Sequence, residues 1–202
     1  MAVPPVGTGA LFITPSQRVQ AKIVPWRRIY DPEHWRLIRP HITVAYPFVR
    51  AEEWPAARPA LVECLRAFPP FWITLAELAA FEQPGAVLWL RPDDGGALAR
   101  IHAALAAAFP AHFPPGPLPF VPHLTVGFFD SVAALAQARE TIAAGWQPLR
   151  FRVAALHYAV CEAGGLWRTC DAAPLAGGAA GPADGRLAAA SRNVAPSAAY
   201  VV

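Results

Sequence analysis

The sequence predicts a mixed α+β chain built from two copies of one unit and folded as two lobes. Three observations carry that prediction. Helix and strand patterns alternate along the chain, a short Pro-His-x-Thr stretch occurs twice, and a helix and then a hairpin follow each copy. The copies are "PHITVAYPF" at 40–48 and "PHLTVGFF" at 122–129. His41 and His123 lie 82 positions apart, and Leu78 and Leu156 in the following hairpins lie 78 apart, as do Trp89 and Trp167. A unit of this size has too little core to stand alone. Two copies therefore pack about a pseudo-twofold axis, and a ligand sits in the groove between them.

The elements follow in order. "ALFITP" at 10–15 reads as a strand, and 17–30 as a helix interrupted or kinked by Pro25. The first His-x-Thr strand comes next, then a helix over 54–67. "FWITLAELAAF" and "AVLWLRP" read as strands joined by the turn signal "EQPG". A short amphipathic helix at 98–109 stops before the proline-rich "PAHFPPGPLP". After the second His-x-Thr strand come a helix at 132–144 and the strands "LRFRVAALHYAV" and "LWRTC", with "EAGG" between these two. Residues 1–175 form the two-lobed domain on this reading, and 176–202 an Ala/Gly/Pro-rich flexible tail.

Bulk composition excludes several classes. With 55% hydrophobic and 15% charged residues the chain is neither disordered nor a duplex-binding basic stripe, and no apolar run reaches membrane length. The start lacks a basic segment and does not read as a signal peptide. Cys64, Cys161 and Cys170 are odd in number, match no zinc spacing, and suit a reducing cytoplasm as buried, inert thiols. The net charge of +3 comes almost wholly from arginine, since Lys22 is the single lysine, and favours anionic ligands.

A strand's period of two places His41 with Thr43, and His123 with Thr125, on one face, followed there by Ala45 or Gly127. Such small residues leave space for a ligand. Two imidazoles across a gap can act as general base and general acid, and two hydroxyls can donate to phosphate oxygens. A lone His-x-Thr on an apolar strand is ordinarily a satisfied core histidine; two at matching places in a repeat argue for one site. The chain has no P-loop, no Gly-x-Ser-x-Gly elbow and no acidic cluster for magnesium, and a metal site on the histidines lacks a third ligand. The expected chemistry is therefore metal- and cofactor-free, on a phosphodiester that brings its own reactivity: a 2′,3′-cyclic phosphate or a linkage beside a ribose 2′-oxygen.

Other candidates are weaker. Phe129 continues the second motif's face and could stack on a base, while Phe81 and Tyr158 sit late in strands near the expected cleft; core packing competes for all three. The parity of His157 is open. Arg36 and Arg39 precede the first motif and could guide an anion, although solvated surface arginines are the default. His34, His102 and His112 receive no role.

The paired "PHITVAYPF" and "PHLTVGFF" motifs resemble the signature of the two-histidine (2H) phosphoesterase superfamily, which includes the 2′-5′ RNA ligase and cyclic phosphodiesterase families. The likeness extends over 10–175. It implies a bilobal α+β fold with an antiparallel sheet in each lobe and the motifs facing across a central cleft. It also implies that His41 and His123 are the acid–base pair, that Thr43 and Thr125 hold the phosphate, and that the substrate is an RNA or nucleotide. A monomer is the default expectation, and the lack of a long apolar run argues against membrane association. The alternative is a non-catalytic module that binds RNA ends or nucleotides in the same cleft. Many members carry an arginine soon after the second motif, where this chain has Phe128 and Phe129.

Overall fold

The computed structural model describes residues 3–82, 85–113 and 119–177. Eight strands and four α-helices follow in the order β1 (Gly9–Ile13), α1 (Gln17–Tyr30), β2 (Ile42–Phe48), α2 (Trp54–Leu65), β3 (Phe71–Phe81), β4 (Ala86–Asp93), α3 (Ala97–Ala108), β5 (Leu124–Phe129), α4 (Val132–Ala143), β6 (Leu149–Val153), β7 (Ala155–Cys161) and β8 (Trp167–Pro174). They form two antiparallel four-stranded sheets, ordered β2-β1-β7-β8 and β5-β4-β3-β6. The motif strands β2 and β5 are thus corresponding edges of the two sheets, and their Cα atoms come within 8 Å of one another.

Local chemistry explains the element boundaries. Ser131 caps α4 by accepting the Ala134 N–H at 3.2 Å, and Pro55 opens α2 where no intrahelical donor is required. Helix α1 runs through Pro25 without interruption. Val19, Ile23 and Arg27 bury one face of it and hold both sides of the proline to the core. Among the described residues, no helix is long and apolar enough to cross a membrane.

The fold is bilobal and duplicated, but the repeat is joined differently from the sequence reading. The hairpin after the first motif, β3–β4, pairs with the second motif strand β5, while β7–β8 joins the first motif strand through β1. Each lobe therefore mixes both halves of the chain. Phe12 stands opposite Thr43, as Trp89 stands opposite Thr125, so Trp89 matches Phe12 and not Trp167. Leu78 and Leu156 remain equivalent, one next to β4 and the other next to β1 in register.

The run "LRFRVAALHYAV" is not one strand. Residues 149–153 pair with β3, whereas from Ala155 onward the chain pairs in the other sheet. Ala154 is the crossover, and no glycine or proline marks it because only the hydrogen-bonding partners change. The last strand continues past Cys170 to Pro174. The segment read as a tail lies almost wholly outside the described residues.

One large core contains the helices and the inner faces of both sheets. Two smaller apolar clusters lie apart from it. One holds Ala10, Phe12, Ile38 and Ala159, and the other Ala79, Phe81, Val87 and Trp89. Directly opposed residues of an antiparallel pair share a face, so these clusters mark the outer face of each sheet, where Thr43 and Thr125 also stand.

Ala45 and Gly127 are not on that face. In β2 the register passes from Thr43 opposite Phe12 to Ala45 opposite Leu11. In β5 it passes from Thr125 opposite Trp89 to Gly127 opposite Leu88. At this step each strand has one extra residue, Val44 or Val126, and such a bulge reverses the alternation beyond it; β2 has a second irregularity between Ala45 and Phe48. Gly127 instead receives the end of α1: a Cβ there would lie 2.4 Å from Tyr30 Cβ and 2.7 Å from Tyr30 O. Gly127→Ala is expected to destabilise the protein by about 1–3 kcal/mol through overpacking, measured by urea unfolding.

Candidate active site

Each motif histidine is fixed in the same way. His41 Nδ1 lies 2.8 Å from the carbonyl oxygen of Arg39, and His123 Nδ1 lies 2.8 Å from that of Val121. A carbonyl only accepts, so Nδ1 carries the proton in each bond and Nε2 holds the lone pair of the neutral ring. The preceding prolines, Pro40 and Pro122, favour extended backbone at Arg39 and Val121 and so help to aim those carbonyls. The motif's Pro thus has a physical purpose in both copies.

Both rings are buried, at 7% and 8% exposure. His41 packs on Phe12 with centroids 4.3 Å apart. His123 meets the edge of Phe81 at 5.2 Å and lies 5.9 Å from Trp89. Burial pushes the His123 pKa below the ordinary histidine value, against a smaller opposing effect of its bond to Val121. Desolvation favours the neutral ring. Thr43 is half-buried; Thr125 is buried, and its Oγ1 has no hydrogen-bond partner among the described residues, nor has Trp89 Nε1. Unsatisfied buried donors of this kind are costly, and a ligand oxygen would relieve the cost.

The other sequence-derived candidates separate. Phe81 joins the His123 surroundings and stacks on Trp89 at 4.9 Å. Phe129 packs with Tyr30 against the core, because the bulge turns it inward, and Phe128 takes the outer face beside the Trp89 cluster. Tyr158 lies in the core, stacked on Trp54 at 3.8 Å with its hydroxyl donating to Val49 O, and is not brought to the site. His157 stands opposite Phe12 and so shares the outer face; its Nδ1 has no hydrogen-bond partner among the described residues, and burial lowers its pKa against a smaller opposing effect of the Phe12 backbone. Cys170 is exposed, unlike the buried thiol expected there.

A cavity of about 510 Å³ lies against the outer face of the first lobe, lined by His41, Phe12, Trp167, Arg36, Arg39 and Arg168 among others. None of its lining comes from β3, β4 or β5. The loop between α1 and β2 supplies two of these arginines and is anchored by a buried network. Arg27 bonds Asp31 through Nε and Nη2 and donates Nη1 to Ile38 O at 2.9 Å; Asp31 Oδ1 reaches His34 Nδ1 at 2.7 Å. His34 in turn lies 5.4 Å from Phe128. Sequence reasoning missed this network. Its one signal was an Arg–Asp pair at helical i,i+4 spacing on the face of Val19 and Ile23.

An antiparallel two-lobed α+β fold with a His-x-Thr pair on each motif strand defines the class, and comparisons with known proteins specify it. The model of the 2′-5′ RNA ligase superfamily matches residues 15–165, and the chain belongs to that superfamily. It is 31% identical over 118 residues to a protein of Geobacillus kaustophilus named "Putative phosphoesterase", an alignment covering 58% of this chain and 66% of the relative, just under two thirds of its length. Two solved structures share the fold. Escherichia coli LigT complexed with 3′-AMP has a TM-score of 0.58 at 18% identity, over 85% of this chain and 99% of LigT. TT0787 of Thermus thermophilus has a TM-score of 0.59 at 20% identity, over 84% and 98%.

Proposed function

We propose that this chain is a metal-independent phosphodiesterase acting on 2′,3′-cyclic phosphates or 2′-5′ phosphodiester linkages of RNA or nucleotides. The observation that carries the reading is the matched pair of Nδ1 bonds, which leaves each neutral imidazole with its reactive lone pair on Nε2. Thr43 and the unpartnered Thr125 hydroxyl supply donors for the phosphate's non-bridging oxygens. LigT, which shares the fold, was solved with 3′-AMP and separately with phosphate, a ligand type this reading requires.

In the proposed reaction, His123 Nε2 takes a proton from water as the water oxygen bonds to phosphorus. The bond from phosphorus to one ribose oxygen breaks in line, and His41, in its protonated form, gives its proton to that oxygen. The product is a phosphomonoester beside a free hydroxyl. His123 is taken as the base in this proposal, and the lowering of its pKa by burial is compatible with the neutral ring a base requires.

The test is turnover of 2′,3′-cyclic nucleotides and of 2′-5′ linked oligonucleotides in EDTA. Hydrolysis of at least one supports the reading, and inactivity on all of them sinks it. The pH profile adds a second check. A base must be neutral, so kcat/KM should rise with pH through the His123 pKa, with the limb centred below the ordinary value of about 6.5. A limb centred well above that value removes His123 from the role of base. The binding-module reading has one observation behind it, a cavity lined by the first lobe without His123. It predicts ligand binding that survives replacement of either histidine, with no turnover.

A further inference from the structure

We propose that the arginine-lined cavity beside His41 holds a second phosphate of the substrate, so that the preferred substrates carry a phosphate besides the one that reacts. The inference rests on the reading above and names the substrate class more narrowly. Arg36 and Arg39 come from the loop before β2 and Arg168 from β8, two segments far apart in sequence that converge on one cavity. Thr14 and Thr169 add hydroxyls, and no carboxylate lines the space. Its volume of about 510 Å³ is enough for a nucleotide fragment.

The individual arginines are set for an anion. The Arg39 side chain has no partner among the described residues, and it is two positions from the imidazole it would serve. Arg36 lies over the Trp35 ring at 4.8 Å, a contact that steadies the guanidinium plane and uses none of its N–H groups. Glu162 bonds Arg168 at Nε and leaves the two Nη amino groups as donors. Guanidinium forks of this kind match phosphate oxygens in pairs.

The corresponding face of the second lobe differs in character. Phe81 and Trp89 stand against His123, Phe128 packs on the same apolar cluster, and the nearby Arg91 is paired with Glu77 at 3.6 Å. Both sides of the duplicated scaffold are thus aromatic, with Phe12, Tyr46 and Trp167 on the His41 side, and the arginines of the cavity are what sets the His41 side apart. A substrate with its reacting phosphorus between the motifs would place its further phosphate on the first side and a base on the second. The second phosphate can be the 5′-phosphate of the same nucleotide or the diester to a neighbouring one.

Titration calorimetry decides between these and the absence of any subsite. The ligands are adenosine 2′-monophosphate, adenosine 2′,5′-bisphosphate, and an adenylyl dinucleotide ending in a 2′-phosphate. They are titrated into the unmodified chain and into Arg39→Ala, Arg36→Gln/Arg168→Gln and the triple variant. At least one doubly phosphorylated ligand should bind about 10-fold or more tightly than the monophosphate, and that ratio should fall toward one in the triple variant. Whichever ligand gains identifies the source of the phosphate. A ratio near one in the unmodified chain, or a ratio the variants retain, overturns the proposal. Because binding is read, a catalytically silent protein with an arginine-dependent gain would sink the phosphodiesterase reading and keep this one; an active protein without the gain would do the reverse. Failure of all three ligands to bind overturns both.

Discussion

His41→Ala and His123→Ala should each lower kcat on a 2′,3′-cyclic nucleotide by about 10²- to 10⁴-fold, the range that positioned acid–base groups contribute. The double variant should fall little further, because a base and an acid acting in one displacement are not additive. The two rings sit at the edges of different sheets, so neither substitution should propagate to the other. Each removes a ring whose Nδ1 is bonded to a carbonyl two residues upstream, and leaves the backbone ladder of its sheet intact. Circular dichroism and the urea midpoint should therefore move far less than activity does. Single-turnover rates on cyclic AMP of the 2′,3′ type, with a Kd measured for the 2′-monophosphate, provide the check. Loss of binding in step with loss of rate would mean that the rings hold the ligand without moving protons. Full activity in either variant would dismiss the acid–base pair altogether.

The motifs were legible because duplication writes the same costly polar pair twice on apolar strands, and because Pro40 and Pro122 punctuate both. Helices were legible for an ordinary reason: amphipathic spacing carried α1, α3 and α4 to within a residue or two of their ends. What stayed hidden was relational. Period-two alternation assumes an unbroken ladder, so the bulges at Val44 and Val126 sent Ala45, Gly127 and Phe129 to the wrong face and concealed Tyr46 and Phe128 on the right one. Nothing in a single strand's pattern says which sheet it joins. Hence the exchange of hairpins between lobes, and the passage from one sheet to the other at Ala154, could not be read. Tyr158 shows the same limit: its core stacking on Trp54 depends on a helix more than one hundred positions away.

Arg27→Ala should be among the most destabilising single substitutions in the chain, costing about 3–5 kcal/mol because it leaves a buried carboxylate without its charge partner. Arg27 and Asp31 are 3% and 2% exposed. The guanidinium also bonds Ile38 O, which ties the end of α1 to the far end of the following loop. That loop continues from His34, against Phe128 of the second lobe, to Arg36, Arg39 and then His41. Loss of Arg27 should therefore loosen the connection that positions His41 as well as weaken the fold. The urea midpoint measures the first effect, and kcat/KM at temperatures where the variant is still folded measures the second. The paired replacement Arg27→Met/Asp31→Leu separates them. Removing both charges abolishes the uncompensated carboxylate, so stability should return to within about 1–2 kcal/mol of the parent. Activity should not recover as fully, because methionine cannot donate to Ile38 O and leucine cannot accept from His34. Equal recovery of stability and activity would mean that the network supports only the fold; failure of the double variant to regain stability would mean that the bond to Ile38, and not the charge pair, carries the energy.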